Sequence, residues 1–181
     1  MAVAGLASSL PVARELLLFE RPERTEAWRL LGTQLLHPNL ATAVADLVLL
    51  TLGSLWLERR SRGAWLAVLT ASALAVSASV AWAPSELRSY EGASGLAAGM
   101  LSAALLTHAL GLAGGARAAF FALALLPTIK ALLELAGWSW SSAHLPSDVQ
   151  VFVPAHLAGA LAGLTVAGAW SCATRRATQQ A

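Results

Sequence analysis

Few side chains in this sequence can do acid–base or nucleophilic chemistry, and they stand where such groups are costly. Ser94 lies in "YEGASGLAAGM" (residues 90–100) and His156 in "PAHLAGALAGLTVAGAW" (154–170), each at the start of a long apolar run. His37, Asn39, Thr42 and Asp46 lie at and within another such run, and Lys130 and Glu134 lie inside a fourth. His108 falls toward the end of the run that Ser94 opens. A serine becomes a nucleophile when a neighbouring histidine takes its proton. A helix that begins at the serine aims free N–H groups toward it, and these can stabilise a developing oxyanion. The plain alternative for the glycines around Ser94 is close helix packing, and for His156 a satisfied structural histidine.

The elements that must position these residues are membrane helices. Of the 181 residues, 57% are hydrophobic and only 12% charged, about half the charge of a soluble domain. The mean hydropathy is +0.63. Apolar runs occupy approximately residues 2–19, 39–57, 64–83, 94–113, 117–137 and 152–172, each near the ~20 residues that cross a bilayer. They are continuously apolar, without the alternation of barrel strands. The expectation is an all-α membrane protein, a six-transmembrane-helix bundle forming a single domain over residues 1–181. The first run is the weakest, because Pro11, Arg14 and Glu15 interrupt it. It lacks the basic leader of a secretory signal and reads as membrane helix.

Charge orients the bundle. With six spans, one face receives Arg59, Arg60, Arg62, Arg117, Arg175 and Arg176 against the single acid Glu58. The other face receives "ELLLFERPERTEAWR", "PSELRSYE" and "GWSWSSAHLPSDVQ", where acids equal or exceed bases. The positive-inside rule then places both termini in the cytoplasm, in a cytoplasmic (inner) membrane. An odd number of spans would mix these sets, so charge supports counting the first run. Trp138 and Trp140, and Trp56 with Trp65, suit aromatic belts at the headgroups. The first loop, "FERPERTEAWRLL", is amphipathic and expected along the outer membrane surface.

The net charge of +2 comes from scattered arginines, without the basic stripe and stacking aromatics of a nucleic-acid binder. Cys172 is the single cysteine, so no internal disulfide forms. No cofactor or metal is expected. A transporter is disfavoured, because ionisable residues cluster near one face and no inverted repeat is visible.

In this topology the runs holding Asn39, Ser94 and His156 all begin at the outer face, which puts the three at similar depth. Gly92 and Gly95 flank Ser94, and Ala155, Gly159, Gly163 and Ala167 recur every four residues beside His156. Such small-residue stripes let helix backbones approach closely. A serine and a histidine level with each other on touching helices could form a nucleophile–base pair. Lys130 and Glu134 are one turn apart and read first as a self-neutralising intramembrane pair, and second as a substrate contact. His108 reads as structural, and His144 as an exposed loop residue.

GxSG opening one membrane helix and AHxxGxxxGxxxA in the last resembles the rhomboid family of intramembrane serine proteases. "EAWRLLGTQLLHPN" is similar to that family's first loop. The small size, "YEGASG", "IKALLE" and "VPAHLAGALAGL" look most like its rhombosortase branch. The resemblance spans roughly residues 19–172. It implies a Ser94–His156 dyad without a third acid, and membrane-anchored protein substrates carrying C-terminal Gly-Gly-type sorting signals. The active site would open to the outer face. The family carries a second histidine five residues after the first-loop histidine, and an asparagine four further on. Counting from His37, these positions hold Thr42 and Asp46. Thr42 can donate a hydrogen bond, whereas an ionised Asp46 would repel an oxyanion unless protonated, paired or turned away. His37, Asn39, Thr42, Asp46 and Gly92 are therefore the oxyanion and substrate candidates. The runner-up reading is a catalytically inactive rhomboid-like protein that binds membrane helices.

Overall fold

The computed structural model describes residues 11–22, 25–138 and 151–180. In chain order its elements are α1 (Pro11–Leu17), β1 (Phe19–Glu20), α2 (Arg29–Gly32), a 3-10 turn (Thr33–Leu35), α3 (Leu40–Arg60), α4 (Arg62–Ala81), β2 (Ser89–Tyr90), α5 (Ser94–Ala109), α6 (Gly114–Leu135) and α7 (Val153–Gln180). Among the described residues, four helices have the length and composition to cross a membrane: α3, α4, α6, and α7 over Val153–Ala177. Helix α5 is apolar but shorter. The protein is a multi-pass helical membrane protein.

The expected count of six spanning helices is not reproduced among the described residues. Most of the 2–19 run lies outside them, and the described remainder is the seven-residue α1. Its end has a clear cause. The Arg29 guanidinium takes the carbonyls of Glu15 and Leu16 at 2.7 Å and of Leu18 at 3.3 Å, which stops the ladder. Phe19 and Glu20 then pair antiparallel with Tyr90 and Ser89. Boundaries elsewhere shift by a few residues. Helix α5 stops at Ala109, and α7 runs on to Gln180, where Arg175 reaches back to the Leu110 carbonyl at 2.6 Å.

Local chemistry sets the turns. Ser61 closes α3 and opens α4 with extended dihedrals, its hydroxyl accepting from the Ala64 N–H at 3.2 Å, so one residue joins two spans. At the far end of α4, Arg21 donates to the carbonyls of Val80, Ala81, Ala83 and Pro84 at 2.7–3.2 Å. These are backbone groups that a helix end leaves unsatisfied.

Helix α5 is the central post, packed against α3, α4, α6 and α7, with ten of its sixteen residues buried. Glycines on the helices that face it allow this. A Cβ on Gly159 or Gly163 would collide with the carbonyls of Gly95 and Gly99, and one on Gly53 would lie 2.8 Å from the Met100 carbonyl carbon. The small-residue stripe read from the sequence is thus a real contact seam. One apolar cluster (Leu57, Val68, Met100, Ala103, Ala104 and Ala167) fills one half of the bundle. Another (Phe19, Val76, Val80, Tyr90 and Ala155) fills the half beneath the first loop.

Residues 25–28 of the first loop are exposed, and the turn that follows it packs inward. Leu36 and Thr33 are wholly buried, and His37 and Gln34 nearly so. The Gln34 amide donates to the Ala73 carbonyl and the Ser77 hydroxyl, both at 3.0 Å. Only Trp28, Leu31 and Leu35 form an exposed apolar edge, suited to the headgroup layer.

Candidate active site

Helix α5 begins at Ser94 because Gly92 turns the chain at φ +134°, a conformation open to glycine and strained for other residues. Gly53 of α3 rests on Met100 of α5. Counting back along both helices puts Ser94 level with Leu47, which at 1.5 Å per residue is roughly 10 Å below the start of α3 at Leu40. Ser94 is therefore recessed into the bundle.

His156 stands on the first turn of α7. The Gly95–Ala155 and Gly159–Gly95 contacts press that turn against the start of α5. The Ser94 Oγ and His156 Nε2 are 2.6 Å apart. Both side chains are partly buried, and the spacing meets the geometric requirement for a hydroxyl nucleophile and its base.

The remaining candidates divide. Asn39 caps α3, its Oδ1 accepting from the Thr42 N–H at 2.9 Å, while the Thr42 hydroxyl donates to the Asn39 carbonyl at 3.0 Å. The one proton of Thr42 is thus engaged within its own helix turn. Asp46 faces the site. Its Oδ2 lies 3.3 Å from the buried His37 Nε2, and both Asp46 Oδ2 and Ser94 Oγ lie 3.8 Å from the point a Gly92 Cβ would occupy. Of the alternatives open for Asp46, the structure shows pairing. Lys130 and Glu134 form their expected ion pair at 2.6 Å on α6. His108 stacks edge-on with Trp56 and Phe120, at 4.7 and 4.4 Å between ring centres, far along α5 from Ser94. His144 and Trp140 lie outside the described residues.

Sequence reasoning missed the clamp that holds the Ser94 segment. The wholly buried Thr33 donates its hydroxyl to the Tyr90 carbonyl, and its own carbonyl accepts the Gly92 N–H at 3.3 Å. Arg14 pairs with Glu91 on the adjoining residue. Tyr90, the only tyrosine of the chain, packs edge-on against Phe152 at 6.2 Å. Its hydroxyl is buried and completes no hydrogen bond. Burial, and then the Asp46 charge, push the phenol well above its ordinary range, with Ser94 opposing weakly; Tyr90 stays a protonated donor. A lone buried tyrosine four residues before the serine was the available signal.

The architecture and the recessed serine–histidine pair define a polytopic membrane protein with a site built inside its helix bundle. The Rhomboid domain model matches residues 24–171 of this chain, and the chain belongs to the rhomboid family, whose members are intramembrane serine proteases acting on membrane protein substrates. Comparisons with curated proteins and with solved structures give no match.

Proposed function

We propose that the protein is an intramembrane serine endopeptidase of the rhombosortase-like branch, working through a Ser94–His156 dyad. The observation that carries this reading is the 2.6 Å approach of Ser94 Oγ to His156 Nε2. As Ser94 Oγ attacks the scissile carbonyl, His156 Nε2 accepts the hydroxyl proton, and an oxyanion forms on the carbonyl oxygen. Collapse of that intermediate breaks the C–N bond, and His156 returns the proton to the leaving amine. Water activated by the same imidazole then hydrolyses the acyl-enzyme and frees Ser94.

The substrates are exported proteins held by a C-terminal membrane anchor that follows a Gly-Gly-type sorting signal. Glycines at the cut would let an extended segment enter a recessed site lined by Gly92 and Gly95. Both termini lie in the cytoplasm, in the inner membrane, and the site opens outward, where α3, α5 and α7 begin and where water is at hand.

A serine-directed fluorophosphonate tests the dyad. Wild type labels, and Ser94→Ala and His156→Ala each lose the label. An unlabelled wild type would favour a catalytically inactive rhomboid-like protein that binds membrane helices, the reading to which the Asp46 carboxylate beside Gly92 lends support.

A further inference from the structure

Resting on the dyad reading, we propose that the Tyr90 hydroxyl is a catalytic hydrogen-bond donor to the oxyanion formed at Ser94. The reaction places a negative charge on an oxygen bonded to the carbon that Ser94 Oγ attacks. A preorganised neutral donor next to that atom is worth most where water is excluded. Asn39 and Thr42 are committed to the cap of α3, and Asp46, when ionised, can only accept. Tyr90 is 7% exposed. Its hydroxyl is buried without a hydrogen-bond partner, and its ring belongs to the buried cluster that includes Ala155, the residue before His156, and packs against Phe152 at the foot of α7.

The ring is held in place before substrate arrives. Its backbone pairs with Phe19 in the two-stranded ribbon, its carbonyl accepts from Thr33, and its face is fixed by Phe152. The turn at Gly92, φ +134°, brings the tyrosine back toward the serine four residues later. A buried hydroxyl without a partner costs stability, so an unpartnered phenol four residues before Ser94, at the junction of α5 and α7, calls for a role beyond packing. On attack, the phenol O–H donates to the oxyanion and keeps its proton throughout, so no proton or electron is transferred to or from Tyr90. The Asp46 charge supports this by disfavouring the phenolate.

The test is Tyr90→Phe, which removes the hydroxyl and keeps the ring. Fluorophosphonate labelling is followed in parallel with Ser94→Ala, His156→Ala and thermal unfolding in detergent. Tyr90→Phe should label about 10²–10³-fold more slowly than wild type, the usual loss for one oxyanion donor, at a melting midpoint equal to or above that of wild type. If both dyad variants lose the label while Tyr90→Phe labels within twofold of wild type, Tyr90 has no such role and the dyad stands. If the dyad variants label like wild type, the dyad reading falls and takes this one with it. Should Tyr90→Phe fail to fold, the structure of the wild-type phosphonyl adduct decides. The phosphonyl oxygen should lie about 2.7–3.1 Å from Tyr90 Oη, and an oxygen outside hydrogen-bond reach overturns the proposal.

Discussion

Replacing Gly159 by alanine adds one methyl group and should disable the site from a distance. The new Cβ would lie 2.7 Å from the Gly95 carbonyl carbon, and closer still to its oxygen, where ordinary contact begins near 3.4 Å. Both obstacles are backbone, so neither can swing aside. Relieving the carbon contact alone needs roughly 0.7 Å, and the oxygen brings the separation of α5 and α7 to about 1 Å, a misplacement on the scale that costs about 10²-fold in rate. His156 is one turn before Gly159, so the parting carries it away from Ser94. The 2.6 Å contact would open to about 3.6 Å, beyond a hydrogen bond.

Overpacking of this kind costs about 1–3 kcal/mol, or a melting midpoint lowered by roughly 3–10 °C for a chain this size. The internal control is Gly168→Ala on the same helix, where nothing lies within 4 Å of the added Cβ. That change should hold or raise stability by up to about 1 kcal/mol, the helix preference of alanine over glycine. The assay pairs thermal unfolding in detergent with the rate of fluorophosphonate labelling. If Gly159→Ala melted and labelled like Gly168→Ala, the helices would not approach as described, and the account of how the dyad is brought together would be wrong.

Other outcomes follow from the same contacts. Thr33→Val removes the hydroxyl that donates to the Tyr90 carbonyl and should cost about 1–3 kcal/mol by thermal unfolding, with Thr33→Ser recovering most of it. Arg21→Ala frees the carbonyls at the end of α4 and should destabilise by a similar amount, and Arg21→Lys should restore only part, since an ammonium lacks the planar fork. Lys130→Met takes the cation from beside the buried Glu134 and should cost at most about 3 kcal/mol. The double variant Lys130→Met/Glu134→Leu should unfold closer to wild type than that single one does; a double variant less stable than Lys130→Met would show that the pair is not self-neutralising.

The candidate polar positions were readable in the sequence because hydrocarbon penalises every polar atom. Against 57% hydrophobic residues, Ser94, His156, Asp46 and the Lys130–Glu134 pair stand out, and the four-residue spacing of Gly159 and Gly163 reports the close seam without a structure. The end of the first run was not legible for the opposite reason. Composition across 2–19 is apolar, but the helix end at Leu17 depends on the Arg29 side chain eleven or more residues away. No local propensity carries that information. Arg21, Thr33 and Gln34 were invisible in the same way, because each donates from its side chain to groups on a distant segment.

Asp46 shows where residue identity and residue role part. By position it stands where the resemblance calls for an oxyanion donor, and by chemistry it is an acceptor, so sequence alone sets the two against each other. The structure places His37 beside it at 3.3 Å and commits Thr42 to the helix cap, leaving the buried, unpartnered phenol of Tyr90. If Tyr90 donates, the carboxylate has a use: burial first, and then its charge, keep the phenol protonated, the only form that can donate. Asp46→Asn should then leave labelling at neutral pH within a few-fold of wild type but move its alkaline loss to lower pH, as the phenol ionises more easily. Labelling abolished at neutral pH would instead make Asp46 itself part of the dyad's machinery.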